Sequence, residues 1–159
     1  MPVVDEETFV REVTAMERTL YRVSRSMLRN PCDCADAVQE AIKKAWEKRS
    51  RAEDGYFRAW LMRIVINECH SVQRQKRRLV VMADVPGDIR GEAHDTALRD
   101  AISALPEKYR LPLILNCLEC FTVAQSARML QIPEGTVKWR LSKARELLRG
   151  MLGETEVQA

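Results

Sequence analysis

The chain has 159 residues, 46% of them hydrophobic and 31% charged, with 26 basic and 23 acidic side chains and a net charge of +3. That length holds one or two small domains, and that balance is typical of a soluble globular protein. No apolar run approaches the roughly 18 residues of a membrane span, and the scarcity of Gly and Pro, six each, argues against a β-rich fold.

The start, Met1-Pro2-Val3-Val4-Asp5-Glu6-Glu7, is acidic and lacks the apolar stretch of a secretory leader, so a cytoplasmic address is expected. Val13, Met16, Leu20, Val23 and Met27 then fall at alternating spacings of three and four, one apolar stripe of a first helix. Asn30-Pro31 ends it, because the residue before proline is pushed out of the helical region. Asp33 is expected to cap a second helix with Val38, Ala41, Ile42, Ala45 and Trp46 on its apolar face. The charged stretch from Glu47 to Gly55 reads as a loop. A third helix starts near Tyr56 and carries Phe57, Trp60, Leu61, Ile64 and Val65 on one face.

From Leu79 to His94 periodicity fades, and Pro86-Gly87 and Gly91 mark a flexible linker. A short helix from Ala97 to Leu105 follows, stopped by Pro106, which is expected as the first residue of the next helix. That helix holds Tyr109, Leu111, Leu113, Ile114, Leu115 and Leu118, with a kink expected at Pro112. Thr122 with Gln125 reads as a capping box on a helix to about Leu130. Gln131-Ile132-Pro133 is a tight turn, and a last helix runs from about Glu134 to Leu152. The expected fold is all-α: two small helical domains joined by a flexible linker, the second a helix-turn-helix domain. The divisions are residues 1–78, a linker 79–96, a second domain 97–153 and a tail 154–159.

Charge is unevenly spread. From Phe57 to Arg78 six bases face one acid, a net of +5. From Leu79 to Asp100 five acids face two bases, a net of −3, and from Ile132 to Gly150 five bases face two acids, a net of +3. Two basic blocks around an acidic spacer suit two separated contacts with a polyanion.

On the third helix Arg63, Asn67, His70, Arg74 and Arg77 form one polar stripe. The bases can pair phosphates, and Asn67 and His70 are short groups suited to base edges or stacking. The plain alternative is a solvated basic face. Tyr56, at the loop edge, suits stacking on an unpaired base. On the last helix Val137, Leu141, Ala144 and Leu148 must face the core, which leaves Lys138, Trp139, Ser142, Lys143, Arg145 and Arg149 outward. The second helix of a helix-turn-helix enters the major groove, where basic groups read guanine or phosphate and an outward Trp meets a thymine methyl or sugar. Glu134-Gly135-Thr136 opens that helix, where free N–H groups favour a phosphate. The alternative is an ordinary amphipathic helix. Asp33, Asp36, Gln39 and Glu40 give the second helix an acidic edge that does not suit DNA; it fits a protein-docking face or simple dipole compensation.

The five cysteines include Cys32-Asp33-Cys34 and Cys117-Leu118-Glu119-Cys120. The pairs lie far apart and neither His70 nor His94 completes a finger pattern, so free thiols are expected in preference to a zinc site. No catalytic constellation and no Gly-rich phosphate loop is visible. The expectation is a non-enzyme without cofactor or metal.

Three blocks in this order resemble the extracytoplasmic-function group of sigma factors, the two-domain subunits that direct bacterial RNA polymerase to promoters. Asp33-Cys34-Ala35-Asp36-Ala37-Val38-Gln39-Glu40, then Trp46, is similar to the family's D-A-x-D-x-x-Q-E helix. Phe57 to Asn67, followed by Arg74, resembles its F-x-x-W-L-x-x-I-x-x-N block. Leu105-Pro106-Glu107-Lys108-Tyr109-Arg110, then Ile132 to Lys138 and Ala144-Arg145, resembles its L-P-x-x-Y-R…I-P-x-G-T-V-K…A-R signature.

The resemblance implies roles. Asp36, Gln39, Glu40 and Lys43 would dock on the polymerase, whose clamp coiled coil and flap are the expected contacts. The loop from about Arg49 to Tyr56, with Tyr56, Arg63, Asn67, His70, Arg74 and Arg77, would bind the −10 element and hold its non-template strand. Thr136, Lys138, Trp139, Ser142, Lys143 and Arg145 would read the −35 element. The linker would thread toward the polymerase active-site channels and RNA exit path. Expected partners are core RNA polymerase, promoter DNA and an anti-sigma factor, with no membrane insertion. The chain departs from the pattern at Ser71, where Asp is common, at Trp139, where Ser is common, and at Cys34, where Ala is common. Two other readings compete: a stand-alone helix-turn-helix regulator, and a cysteine-based metal or redox sensor. The Gln39-Glu40…Trp46 and Trp60…Asn67 blocks argue against the regulator.

Overall fold

The computed structural model describes residues 4–52, 55–79 and 96–153. Among them there are seven α-helices and no strand. The chain divides into two compact units, Met1–Asp88 and Ile89–Ala159. The interior of the expected linker, residues 80–95, and the expected tail, 154–159, lie outside the described residues.

The first unit is three helices: α1 (Glu6–Met27), α2 (Pro31–Glu47) and α3 (Phe57–Leu79). Asp5 caps α1, its carboxylate accepting from the Thr8 N–H at 2.7 Å. That bond, with the Thr8 side chain next, lowers the Asp5 pKa. The helix stops at Met27, and Leu28 turns extended. Asn30, not Asp33, caps α2: its side-chain oxygen accepts from Cys32 N at 2.8 Å and Asp33 N at 3.4 Å, with Pro31 at the first helical position. An N-cap must sit outside the helix in extended backbone, which Asn30 does; Asp33 already lies within the first turn.

The core joins Met16, Leu20 and Val23 of α1, Ala37, Val38, Ala41 and Ala45 of α2, and Leu61, Met62, Val65, Ile66 and Cys69 of α3. Each large apolar side chain fully buried there contributes about 1.5–3 kcal/mol. The α3 face is turned by about one residue from the expected one: Leu61 and Val65 are buried, while Phe57, Trp60 and Ile64 are half-buried. The reason is a separate aromatic cluster at the α3 start. Phe9 meets Trp46 edge-on at 5.1 Å and Phe57 at 5.7 Å, and Phe57 meets Trp60 at 5.8 Å. Polar braces tie the bundle. Lys44 pairs with Glu68 and Asp33 with Lys76, both between α2 and α3. Gln73 donates to the Met27 carbonyl at 3.1 Å, satisfying a carbonyl at the end of α1.

The second unit is α4 (Thr96–Ala104), α5 (Glu107–Leu113), α6 (Val123–Leu130) and α7 (Glu134–Leu152), with one wide turn at Ile114–Leu118. Pro106 sits just before α5 rather than as its first residue. Pro112 is buried and α5 runs past it to Leu113; the irregularity appears in the following turn, where Glu119 N donates to Ile114 O five residues back at 2.9 Å. Proline lacks the N–H its turn needs and crowds the carbonyl four residues earlier, so the helix unwinds nearby. Leu118, grouped with the apolar positions of this helix in the sequence, is 58% exposed.

Thr122 forms the capping box: its hydroxyl accepts from Gln125 N at 3.0 Å while Gln125 Oε1 accepts from Thr122 N at 2.9 Å. Gln131 ends α6 in the left-handed region at φ 58°, ψ 43°. Ile132 N then donates to Ala127 O and Gln131 N to Arg128 O, the paired bonds of a Schellman stop. This reverses the chain in a few residues and starts α7 at once. Leu105, Tyr109, Leu113, Ala127, Val137, Leu141, Ala144 and Leu148 close the core of this unit.

Candidate nucleic-acid and polymerase interfaces

On α7 the buried stripe of Val137, Leu141, Ala144 and Leu148 fixes which side remains outward. Lys138, Trp139, Ser142, Arg145 and Arg149 are exposed; Thr136 and Lys143 are half-buried. Lys143 lies 3.6 Å from the exposed Glu146, an acid that a phosphate can replace. Arg145 reaches Cys117 Sγ at 3.8 Å. No side chain caps the start of α7, so its first-turn N–H groups remain donors for solvent or a phosphate.

Trp139 is 59% exposed but not loose. Its ring lies 6.1 Å from that of Tyr109, tilted by 54°. Lys108 sits over the other ring of this pair, 5.0 Å from the Tyr109 centroid. Lys108 and Tyr109 therefore border the α7 face. Sequence reasoning placed them in a signature block without giving them a part; the alternation Pro-x-x-Tyr next to an outward Trp is the signal that was present.

On α3, Arg63, Asn67, Arg74 and Arg77 are exposed as one stripe, while His70 is half-buried. His70 also has an interaction within the protein. Arg74 donates to Ser71 Oγ at 3.1 Å. A neutral hydroxyl there positions the guanidinium and leaves its charge uncancelled. Tyr56 is 42% exposed at the start of α3. Across the preceding turn, Arg49 stacks its guanidinium 3.7 Å over the Trp46 ring and donates to the Trp46 carbonyl at 2.8 Å. Reading the segment only as a charged loop missed this; an Arg three residues after a Trp was the clue.

On α2, Asp36, Gln39, Glu40 and Lys43 are all exposed and spaced to share one face. Asp33 does not belong with them: it is half-buried and paired to Lys76. Lys44 is likewise turned to α3, and its bond to Glu68 raises its pKa. The outward acidic edge is thus Asp36 and Glu40.

Cys34 and Cys69 are buried, and Cys32, Cys117 and Cys120 are exposed, all as free thiols. Burial pushes the Cys34 thiol pKa up, and its sulfur donates to Leu28 O at 3.0 Å. Among the described residues no group of three or more His, Cys, Asp or Glu is placed to hold a metal, and no helix is long and apolar enough to cross a membrane.

Comparison with known proteins identifies both halves of the chain. Sigma-70 region 2 matches residues 13–79 and Sigma-70, region 4 matches residues 95–148. The ECF RNA polymerase sigma factor SigM of Mycobacterium tuberculosis is 33% identical over 142 residues, covering 86% of this chain and 72% of that protein. The RNA polymerase sigma factor SigV of Bacillus subtilis is 28% identical over 151 residues, covering 91% of both. The sigma factor RpoE of Bartonella quintana, solved in complex with the anti-sigma factor NepR, matches with a TM-score of 0.76 at 27% identity, over 91% of this chain and 96% of that one. CnrH, solved with the cytosolic domain of CnrY, shares the fold at a TM-score of 0.69 and 20% identity, over 93% of this chain and 89% of that one. With both Sigma-70 regions in order along it and a relative one-third identical over most of both lengths, this chain belongs to the ECF RNA polymerase sigma factors.

Proposed function

We propose that this sigma factor directs core RNA polymerase to specific promoters and starts strand opening at their −10 element. The first unit is the polymerase- and −10-binding lobe, and the second is the −35-binding lobe. The observation that carries the reading is the face of α7: four buried apolar residues on one side force Lys138, Trp139, Ser142 and Arg145 outward, directly after a capped α6 and a tight reversal. That is the arrangement by which a second helix presents its first turns to the major groove.

The mechanism is a division of binding energy. Thr136, Lys138, Trp139, Ser142, Lys143 and Arg145 hold duplex DNA at −35. Asp36, Gln39, Glu40 and Lys43 dock on the polymerase clamp coiled coil, and the flap is a further contact. These contacts hold α3 over the −10 region. A base leaving the stack there costs a few kcal/mol. Stacking on Tyr56 and the nearby aromatic residues, and phosphate pairing by Arg63, Arg74 and Arg77, offset that cost, with Asn67 and His70 touching the unpaired bases. In this scheme the chain catalyses no reaction, and it acts as a specificity subunit rather than an enzyme. Two structural relatives were solved with an anti-sigma factor or with a partner's cytosolic domain, which supports an inhibitory protein partner here as well.

Run-off transcription tests this. Core polymerase with the full chain should yield defined transcripts from a subset of a promoter library, and core alone should not. Transcription no different from core alone would reject the reading.

A further inference from the structure

Cys117 and Cys120 have no part in the promoter reading, yet both are exposed on the segment between α5 and α6. Their backbone is curled. Leu118 ends the wide turn, and Glu119 follows with φ −100° and ψ 0°. Glu119's angles are those of the third residue of a type I turn, so the chain bends between Cys117 and Cys120. A type I turn brings its first and fourth Cα atoms within about 7 Å, and a disulfide needs them about 4.4–6.8 Å apart. The turn is also stitched from both sides. Cys117 Sγ contacts Asn116 Oδ1 at 3.8 Å, while the Asn116 amide donates to Phe121 O at 2.9 Å. Phe121 N donates back to Leu115 O at 2.9 Å. Cys120 sits at φ 62°, left-handed backbone that a side chain with a β-carbon rarely adopts.

A second contact links this turn to α7. Arg145 Nη2 donates to Cys117 Sγ at 3.8 Å, so one of the candidate −35 contacts touches one of the two sulfurs. The other cysteine pair differs. Cys32 is exposed, but Cys34 is buried and engaged with the Leu28 carbonyl.

The geometry points to Cys117 and Cys120 as a reversible thiol-oxidation site, closed by a hydroperoxide, whose closure releases Arg145 and weakens −35 binding. The Cys117 thiolate attacks the distal peroxide oxygen; the O–O bond breaks, the alcohol or water leaves, and Cys117 becomes a sulfenic acid. The Cys120 sulfur then displaces that hydroxyl as water, forming the S–S bond. Two thiols and one hydroperoxide give one disulfide, one water and one alcohol, the cysteines losing the two electrons and two protons that the peroxide gains. A disulfide in a reducing compartment is transient and suited to sensing. Once sulfur-bonded to Cys120, Cys117 no longer braces Arg145, which must then be ordered by the DNA at an entropic cost. The regulatory half of this inference rests on α7 reading the −35 element; the dithiol itself does not.

The test uses the full chain treated with hydrogen peroxide, with peptide mass mapping and fluorescence anisotropy on a −35 duplex. Mapping should find a Cys117–Cys120 link that dithiothreitol removes, and oxidation should weaken binding roughly tenfold, about the loss of one charged contact. Cys120→Ser should bind normally and lose the response, and Cys32→Ser should bind normally and keep it; Cys117→Ser, which removes the sulfur that Arg145 contacts, should start from a lower affinity and lose the response. Arg145→Ala should bind weakly and no longer respond. Oxidation to separate sulfonic acids, a link through Cys32, or a Cys117–Cys120 link that leaves binding unchanged would overturn the proposal. Reduced chain with no −35 affinity would count against the promoter reading, while mapping would still decide the dithiol site.

Discussion

The Trp139 and Tyr109 rings meet at 6.1 Å and 54°, one from α7 and one from α5, so an indole on the outer face of α7 is fixed by a residue of the domain core. An exposed Trp that is pre-positioned loses little freedom on binding. It also occupies the outward side of the helix between Lys138 and Ser142.

Trp139→Ala should therefore alter DNA preference more than stability. We expect a loss of about 1–3 kcal/mol on the best −35 duplex and a relaxed preference at one or two positions. Melting should barely move, because 59% of the residue is exposed. Anisotropy across single-base variants of the duplex, beside a thermal scan, measures both. An unchanged preference profile would remove Trp139 from the reading surface.

Lys138→Ala should weaken −35 binding by about 1–3 kcal/mol if its ammonium reads a base, with specificity lost at that position. A uniform loss across sequences, with a shallower salt slope, would instead make it a phosphate contact.

Asn67→Ala should weaken promoter opening while −35 duplex binding survives, since Asn67 lies on α3 in the other unit. Permanganate reactivity of −10 thymines should drop, with anisotropy on the −35 duplex unchanged. Loss of both together would count against the assigned division of labour.

Asn30→Ala should cost about 1 kcal/mol of stability, because it removes the oxygen that caps α2. Denaturant melts of the intact chain measure this; no shift in midpoint would contradict the cap assignment.

The helices were legible because their signals are local. Thr122 and Gln125 sit three apart and form both bonds of a capping box, and Val137, Leu141, Ala144 and Leu148 are all buried. What the sequence hid depends on three-dimensional partners. Asp33 looked like a cap and like part of an acidic face because nothing local reveals that Lys76, far along the chain, pairs with it. The α3 face was placed one residue off because Phe57 and Trp60 pack on Phe9 and Trp46 at a rim that periodicity cannot distinguish from the core. The kink expected at Pro112 is taken up one turn later, since a proline fixes which bond is missing but not where the helix relaxes. For the surfaces, spacing sufficed to set Arg63, Asn67, Arg74 and Arg77 outward, but not to foresee that Ser71 holds Arg74 or that Tyr109 holds Trp139.

Promoter footprinting of the chain with and without core polymerase tests the account most directly. With core present, protection should cover both the −35 and −10 elements, and −10 thymines should become reactive to permanganate. Identical footprints with and without core, confined to one duplex site, would contradict it.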